Sequence, residues 1–494
     1  MSENKAQGFL EHIIAHPDDD TPRLIFADWL EEQGDAARAE FIRVQVERAQ
    51  LPHWDARQVR LRLREQQLIE QHGRTWNRGL PSIKGAGWGS GWGEFRRGFV
   101  ATATFSGFAV FRATASACWA ATPIEAVSIR WPRKRESIES IPPIPGLREL
   151  SITGRLIDPG EVGRLADAPL LSTLRALNLR NCSLGVEGFR RLLTSPHLGN
   201  LTALRVPFNS IGNGGISALF DAVSLNSLTE LDLSESGNYG SYGDDPIVDA
   251  AGLESLAAWP GMDRVRSLTL SGNHVEQAGL RALLCSPRAT HLKELVLRAN
   301  YLGGQAMQEF IAAQPKLQLD VLDLGENLLG DQGAACLAVA PCLRELKALA
   351  LDRCELPLSA ARRLAKALFI GSLRRLNVNH NSFGPEGLRA LLDTKPQSLH
   401  TLQMAYNDLG NEGVSYLADC PASDSLQEVD LSTNRFGNDG AVALSMAKHL
   451  RSLLILRLYS NEISEWAADA LVQSPLGKRL AVLDVPPNPD EIPF

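Results

Sequence analysis

The sequence lacks a strong charge of either sign. Its 50 lysine and arginine residues are set against 57 aspartate and glutamate residues, which gives a formal net charge of −7 at pH 7. Proteins that bind nucleic acid or anionic membranes through their overall field carry a clear basic excess. We therefore expect neither nucleic acid nor a membrane among the partners.

Cysteine is scarce and shows no paired spacing. The 7 cysteines are an odd number, include no C-x-x-C pair and follow no zinc-ligand spacing. Disulfide frameworks and structural zinc sites need such spacing. The N-terminal MSENKAQGF also has no apolar signal core. The sequence therefore predicts reduced thiols and a cytoplasmic protein.

Long apolar runs are missing. The most apolar stretch, Phe99 to Thr122, contains Arg112 near its middle and is interrupted by threonine, serine and glycine. An arginine is unfavourable in the centre of a bilayer. We therefore expect a strand over 99–105, a helix over 108–117 and a strand over 124–129.

Motifs of catalysis and cofactor binding are absent as well. The chain has no H-E-x-x-H, P-loop or G-x-S-x-G, and the glycine- and tryptophan-rich segment 79–93 fails the G-x-G-x-x-G pattern. Asp18, Asp19 and Asp20 lack the spacing of a calcium loop and are typical of a helix start. We expect no enzymatic activity, no cofactor and no metal site.

What the sequence does contain is a repeat. A polar residue recurs every 27 positions, with one interval of 37 and one of 26. The residues at this position are Arg155, Cys182, Asn209, Ser236, Asn273, Asn300, Asn327, Cys354, Asn381, Asn407, Asn434, Asn461 and Asn488. A fixed period of this size predicts a solenoid.

Each unit has the same physical pattern, shown by LRRLNVNHNSFGPEGLRALL at 373–392. Alternating apolar residues predict a short strand with one buried face. The following Asn can donate to and accept from backbone groups in a turn that water cannot reach. Apolar residues at i, i+3 and i+4, such as Leu388, Leu391 and Leu392, predict a short helix. Because packed helices need more width than paired strands, the stack should curve with its strands on the concave face.

The pattern L-x-x-L-x-L-x-x-N/C-x-L resembles leucine-rich repeats of the ribonuclease-inhibitor-like class. The resemblance implies an α/β fold: a curved leucine-rich-repeat solenoid with parallel strands on the concave face and helices on the convex face. Thirteen units of about 27 residues occupy 147–494. The fold does not specify a partner, because function depends on surface residues that vary between copies.

A small all-α module precedes the repeats. Within residues 1–75 the sequence predicts three helices. The first spans 6–15, the second begins after Thr21 as its N-cap with Pro22 at the first helical position, and the third begins after Asp35 as its N-cap. PDDDTPRLIFADWLEEQGDAARAEFIRVQ in this module resembles a bacterial repeat-companion domain, which implies no activity. Residues 76–146 are then expected to form a joint and an N-terminal cap of degenerate repeats.

The concave face and the one long insertion, residues 237–250, are the candidate binding surface. Insertions in solenoids emerge as loops on one rim, although a tolerated surface loop is equally compatible with the sequence. Aromatic and arginine side chains most often carry interface energy. The candidate partner-binding residues are Arg180, Phe208, Asp232, Tyr239, Tyr242, Arg298, Arg353, His380, Tyr406, Arg457 and Tyr459.

Two classes of function fit this surface. One is an intracellular protein–protein interaction scaffold, acting as a monomer. The other is a regulator of an enzyme, by analogy with ribonuclease inhibitors or GTPase activators. The small number of cysteines weakens the first analogy, and the lack of an assignable catalytic arginine weakens the second.

Overall fold

The computed structural model describes residues 2–83, 91–131, 138, 141–153, 159–222, 224–234, 248–314 and 316–485. The chain divides into two compact units. The first comprises Met1–His53, Arg60–Val248 and Trp259–Val265, and the second comprises Trp54–Val59, Asp249–Ala258 and Arg266–Phe494. The sequence boundaries at 75 and 146 remain predictions.

Four helices open the chain: α1 Ser2–Ala15, α2 Thr21–Glu32, α3 Ala36–Gln50 and α4 Arg57–Trp76. The cap predicted for α3 is confirmed, because the Asp35 carboxylate accepts a hydrogen bond from the Arg38 backbone N–H at 3.1 Å. The cap predicted for α2 is wrong by one residue. Asp20 is the N-cap and Thr21 opens the helix, while the Asp19 carboxylate accepts from the Thr21 N–H at 2.8 Å.

One apolar cluster holds α1, α2 and α3 together in the first unit. It is formed by Ile13, Phe26, Ala27, Trp29, Leu30, Ala39, Ile42, Val46 and Phe99. Phe99 comes from outside the helices, so the helical segment packs directly on the chain that follows it. Such contiguous apolar burial is the main source of stability in a small helical assembly.

The segment after α4 forms β1 Gly91–Trp92, β2 Phe95–Arg96, β3 Phe99–Val100, β4 Thr102–Phe105, α5 Phe108–Ala121 and β5 Ala126–Arg130. The single strand predicted over 99–105 is in fact two strands. β3 pairs with β2, whereas β4 pairs with β1 and β5. The partner changes at Ala101, which donates to the Glu94 carbonyl at 3.0 Å while its own carbonyl accepts from Glu125 and Ala126.

Parallel strands then succeed one another in the first unit. The strands are β6 Glu149–Thr153, β7 Ala176–Asn178, β8 Ala203–Arg205 and β9 Glu230–Asp232, with helices α6 Pro159–Ala166, α7 Gly185–Leu193 and α8 Gly212–Ala218. The register aligns Leu177 with Leu204 and Leu204 with Leu231. These leucines are fully buried, so each strand contributes the same apolar residue to the core.

The second unit continues the pattern. Its parallel strands are β10 Ser267–Thr269, β11 Glu294–Val296, β12 Val321–Asp323, β13 Ala348–Ala350, β14 Arg375–Asn377, β15 Thr401–Gln403, β16 Glu428–Asp430, β17 Ile455–Arg457 and β18 Val482–Asp484. Its helices are α9 Ala250–Ala258, α10 Glu276–Leu284, α11 Gln308–Ala312, α12 Gly330–Val339, α13 Leu358–Leu364, α14 Gly384–Asp393, α15 Gly410–Asp419, α16 Asn438–Ser445 and α17 Glu465–Gln473. The predicted α/β solenoid is confirmed.

Short 3-10 helices follow many of the α-helices, and one, Gly304–Met307, leads directly into α11. They are Pro169–Thr173, Leu219–Asp221, Pro260–Asp263, Ala289–His291, Gly304–Met307, Pro341–Leu343, Pro421–Ser425 and Gly477–Arg479. Several begin at a proline, which lacks the N–H that an α-helix would need at that point. Pro341 and Pro421, which lie just after α12 and α15, therefore also start the return to the next strand.

The predicted asparagine ladder is confirmed among the described residues. The Asn381 amide nitrogen donates to the Leu351 and Val378 carbonyls at 2.9 and 3.0 Å, and its oxygen accepts from the Cys354 and Leu356 N–H groups at 3.2 and 2.9 Å. Bonds to both the same repeat and the preceding one are also made by Asn209, Asn300, Asn327, Asn407, Asn434 and Asn461. Arg155, Ser236 and Asn488 lie outside the described residues.

Two cysteines, Cys182 and Cys354, occupy the asparagine position of the ladder, and their thiols act only as hydrogen-bond donors there. The Cys354 thiol lies 3.1 Å from the Leu324 carbonyl, and the Cys182 thiol lies 3.4 Å from the Ile152 carbonyl. Burial raises the pKa of both thiols to about 12, so each keeps the proton that its hydrogen bond requires. They are members of the ladder, as predicted.

Thiol reactivity should follow this burial. All 7 cysteines are free, and Cys285 is exposed whereas the other six are buried. Because the reactive form is an accessible thiolate, we expect an aromatic disulfide reagent to titrate one thiol quickly in the native protein and the other six only after unfolding. Several quickly reacting thiols in the native protein would contradict the placement of the ladder cysteines.

Candidate functional site

We call the outward side chains of β10–β18, together with the turns that follow these strands, the strand face of the second unit. The described strands are three residues long, so most predicted contact residues lie in the turns. Of the described candidates, Asp232 and Arg457 lie within strands, and the rest follow a strand. Tyr239 and Tyr242 lie outside the described residues.

Three candidates occupy the same position in consecutive repeats, immediately before the ladder residue. Arg353, His380 and Tyr406, which we call the 353–406 row, have positive φ angles of 53°, 56° and 56°. A left-handed conformation is unfavourable for residues other than glycine by about 1–2 kcal/mol. The ladder hydrogen bonds of the following residue offset this cost, and the turn therefore displays each side chain in a fixed direction.

The row is a continuous stack. An Arg353 guanidinium nitrogen lies 3.3 Å from the Nε2 atom of His380, and the His380 and Tyr406 rings are stacked with centroids 4.0 Å apart at 16°. Arginine can only donate, so Nε2 must accept and the imidazole must be neutral. Burial, assisted by the nearby Arg353 charge, lowers the pKa of His380. Tyr406, which is 48% exposed, ends the row with an accessible ring.

A charged cluster lies beside the row. The Arg298 guanidinium donates to Asp352 at 2.6 and 2.9 Å, to Asp323 at 3.1 Å and to Glu326 at 2.9 Å. Asn377 also donates to Asp352, at 3.0 Å. One guanidinium therefore faces three carboxylates, and Asp352 precedes Arg353 directly in the chain.

Titration in this cluster reflects its burial. The hydrogen bond with Asp352 raises the pKa of Arg298, so the guanidinium stays charged. Burial raises the pKa of Asp323, and the Arg298 charge opposes this shift without cancelling it. The cluster therefore has more negative than positive charge, although burial disfavours the ionised carboxylates.

The remaining candidates are engaged differently. Arg457 pairs with Glu428 at 2.8 Å and with Asp484 at 3.6 Å, whereas Tyr459 is 59% exposed. In the first unit, the Arg180 guanidinium lies 4.2 Å from the Phe208 ring centroid. Asp232 accepts hydrogen bonds from its own neighbour Ser234, at 3.0 Å from the N–H and 2.6 Å from the hydroxyl. Arg298 and Arg457 therefore use their charge within the protein.

Comparisons with known proteins agree with this repeat geometry. Residues 372–392, 395–418 and 422–445 match a family model described as Leucine Rich repeat. Together with the solenoid described above, this match identifies these repeats as leucine-rich repeats. No curated protein matches it significantly.

Solved structures with a similar chain trace share little sequence with this protein. A chain in the crystal structure of the Rad7 and Elc1 complex in yeast has 14% identity and a TM-score of 0.43, over 93% of this chain and 94% of that one. An internalin (inlF) from Listeria monocytogenes has 15% identity and a TM-score of 0.35, over 69% and 81%. A chain of the TLR13–ssRNA13 complex has 20% identity and a TM-score of 0.38, over 69% and 48%. At these TM-scores the likenesses carry no argument about function.

Sequence reasoning missed two accessible residues on the leucine-rich repeats. Tyr301 and Leu328 follow ladder residues directly and are 76% and 57% exposed. His274 contacts Tyr301 edge-on, with ring centroids 5.1 Å apart. The sequence alone could have identified both residues, because the position directly after the ladder asparagine does not point into the core, so an apolar side chain there is exposed.

In the part of the chain that the structure describes, no helix is long and apolar enough to cross a bilayer.

Proposed function

We propose that this leucine-rich-repeat protein is a non-enzymatic, intracellular scaffold that binds a protein partner on the strand face of its second unit. The proposal includes action as a monomer, without cofactor or nucleic acid, and membership of the ribonuclease-inhibitor-like class with an N-terminal companion module. The observation that carries it is the 353–406 row. This row holds a cation and two stacked rings in fixed positions, with Tyr406 accessible.

The row has the chemistry of an interface centre. Tyrosine and arginine are enriched among residues that dominate binding energy, and a rigid display reduces the entropy lost on association. The cluster of Arg298 with three carboxylates is next to the row, so the complementary partner presents a basic side chain to the cluster and an apolar group to Tyr406.

Affinity capture from lysate under reducing conditions, with nuclease treatment in a parallel arm, tests the proposal. A protein retained in both arms, with no change in its own activity when bound, supports the scaffold. A captured enzyme whose rate changes on binding supports the alternative of an enzyme regulator. Capture that disappears after nuclease treatment contradicts a direct protein partner.

The partner should depend on Tyr406. We expect Tyr406→Ala to weaken partner binding tenfold or more, because a central aromatic contact typically contributes about 2 kcal/mol or more. The unfolding transition should hardly change, since the ring is 48% exposed. Calorimetric titration with the captured partner measures the first effect, and thermal unfolding measures the second.

Arg389→Glu on α14 is the control. This side chain lies on the opposite, helix face, with its guanidinium 4.9 Å from the Tyr416 ring centroid. Charge reversal there should leave partner affinity unchanged. If Arg389→Glu abolishes binding and Tyr406→Ala does not, the helix face is the binding surface.

A further inference from the structure

The first unit contains a cavity of about 540 Å³, within the range of small-molecule sites. Its walls come from α1, α2, the start of α3, the residues after α4, β3 and the end of α5. Leu10, Leu30, Phe99 and Val100 supply apolar surface, and the charged residues Arg38, Arg78 and Asp35 also line it. A cavity with apolar walls and two cations against one carboxylate is not explained by the repeat fold.

Arg38 is enclosed by aromatic rings. Its guanidinium carbon lies 4.7 Å from the Trp76 ring centroid, 5.5 Å from that of Phe99 and 5.6 Å from those of Phe41 and Phe95. Cation–π contacts orient the guanidinium plane and favour its charged form. They do not satisfy its N–H groups, which need acceptors in the plane.

Several other arginines of the helical segment are paired with carboxylates. Arg23 contacts Glu125 at 3.1 Å, Arg43 contacts Asp28 at 2.7 Å and Arg64 contacts Glu40 at 2.6 Å. Among the described residues, by contrast, no carboxylate forms an ion pair with Arg38. The Asp35 carboxylate, whose charge acts on Arg38, bonds its backbone N–H instead of the guanidinium.

The Arg38 charge is therefore only partly compensated. Its Nη1 atom is buried and has no hydrogen-bond partner in the described part of the chain. Burial lowers the pKa of Arg38 to about 10, so the side chain is still a cation at pH 7. A desolvated cation without a bonded counter-charge is unfavourable, and an anion in the adjoining cavity would relieve this.

We propose that this cavity binds a small organic anion. An apolar, flat body packs between Leu10, Leu30 and the Phe99 ring, and its carboxylate, sulfonate or phosphate group contacts the accessible part of the Arg38 guanidinium. Arg78, exposed at the wall of the cavity, supplies a second positive charge. This site lies in the helical segment, and its function is separate from the scaffold role proposed above.

Two fluorescent probes of similar shape test the site in the full-length protein. 8-Anilinonaphthalene-1-sulfonate carries the anion, and N-phenyl-1-naphthylamine lacks it. We expect Arg38→Met to weaken sulfonate binding tenfold or more, since a charged hydrogen bond is lost, and to leave the neutral probe nearly unchanged. Arg78→Met, at an exposed side chain, should weaken the sulfonate about threefold without altering unfolding, because a screened contact contributes less.

Two further variants locate the site. Ala121→Trp should fill the cavity and reduce the affinity of both probes tenfold or more. Arg60→Met removes an equal charge from the exposed face of α4, away from the cavity, and should change neither affinity. Unchanged sulfonate binding in both Arg38→Met and Arg78→Met would overturn the proposal. So would full binding in Ala121→Trp, or an equal loss of both probes in Arg38→Met.

Discussion

Asn381→Ala is expected to lower the free energy of unfolding by about 3 kcal/mol, because each buried polar group that loses its partner costs roughly 1–3 kcal/mol. The substitution leaves the Leu351 carbonyl and the Cys354 and Leu356 N–H groups without their side-chain partner, whereas the Val378 carbonyl still accepts from the Asn407 amide at 2.8 Å. Asn381 itself is only 7% exposed, so water cannot replace the lost amide. Urea unfolding of the purified protein, followed by circular dichroism, measures the change.

Asn461→Ala is the matched control near the end of the described ladder. Asn461 makes the same kinds of bond, to the Leu431 and Leu458 carbonyls at 3.0 and 2.9 Å and from the Asn434 N–H at 2.8 Å. It is only half-buried, so water can replace its amide, and the loss should be below about 1 kcal/mol. Equal losses at the two positions would show that the ladder does not carry buried turns. The corresponding change at Asn488 lies outside the described residues.

Arg298→Ala should destabilise the protein, although the sequence indicates Arg298 only as a partner-binding residue. The guanidinium is 28% exposed and joins three carboxylates, of which Asp352 is 9% exposed. Removing one partner of a half-buried ionic network leaves like charges together, at a cost of about 2–3 kcal/mol. Thermal unfolding at pH 7 measures the loss.

The defect of Arg298→Ala should shrink as the pH falls. Burial already raises the pKa of Asp323, and the variant loses the Arg298 charge that holds this pKa down. A carboxyl whose pKa is higher in the folded than in the unfolded state gains folding stability as the pH falls through the folded value. The difference in the free energy of unfolding between Arg298→Ala and the unsubstituted protein should therefore decrease as the pH is lowered from 7 to 5.

A second substitution checks this reading. Arg298→Ala combined with Asp352→Asn removes the central carboxylate charge and should recover at least half of the lost stability at pH 7. A defect that is constant with pH and not rescued by Asp352→Asn would mean that Arg298 stabilises by packing alone.

The fold could be predicted because its signal is periodic. The recurring asparagine, the alternating apolar residues around Leu376 and the helical stripe of Leu388, Leu391 and Leu392 each repeat many times, so local errors average out. Even Cys182 and Cys354 could be placed, since their position in the period fixes their burial. When the copies of a repeat agree, the fold can be predicted with little information about contacts between residues that are distant in sequence.

The details of the surface could not be predicted in the same way. The sequence placed Arg298 and Tyr406 at accessible positions but could not show that Arg298 is held by Asp323, Glu326 and Asp352. Such pairings depend on side-chain conformations between repeats, which no period specifies.

Two details of the first unit escaped prediction for a related reason. The chain changes strand partner at Ala101, and the rings around Arg38 come from α3, α4, β2 and β3. Both features join segments that are distant in sequence and occur once. Local propensity contains no information about contacts of this kind.

Hydrogen–deuterium exchange of the protein with and without its captured partner shows which face the partner covers. We expect the partner to slow exchange in the turns that carry Arg353, His380 and Tyr406, and to leave exchange in the helices Leu358–Leu364 and Gly384–Asp393 unchanged. Protection confined to those helices, with none in the turns of the 353–406 row, would contradict the assignment of the strand face as the binding surface.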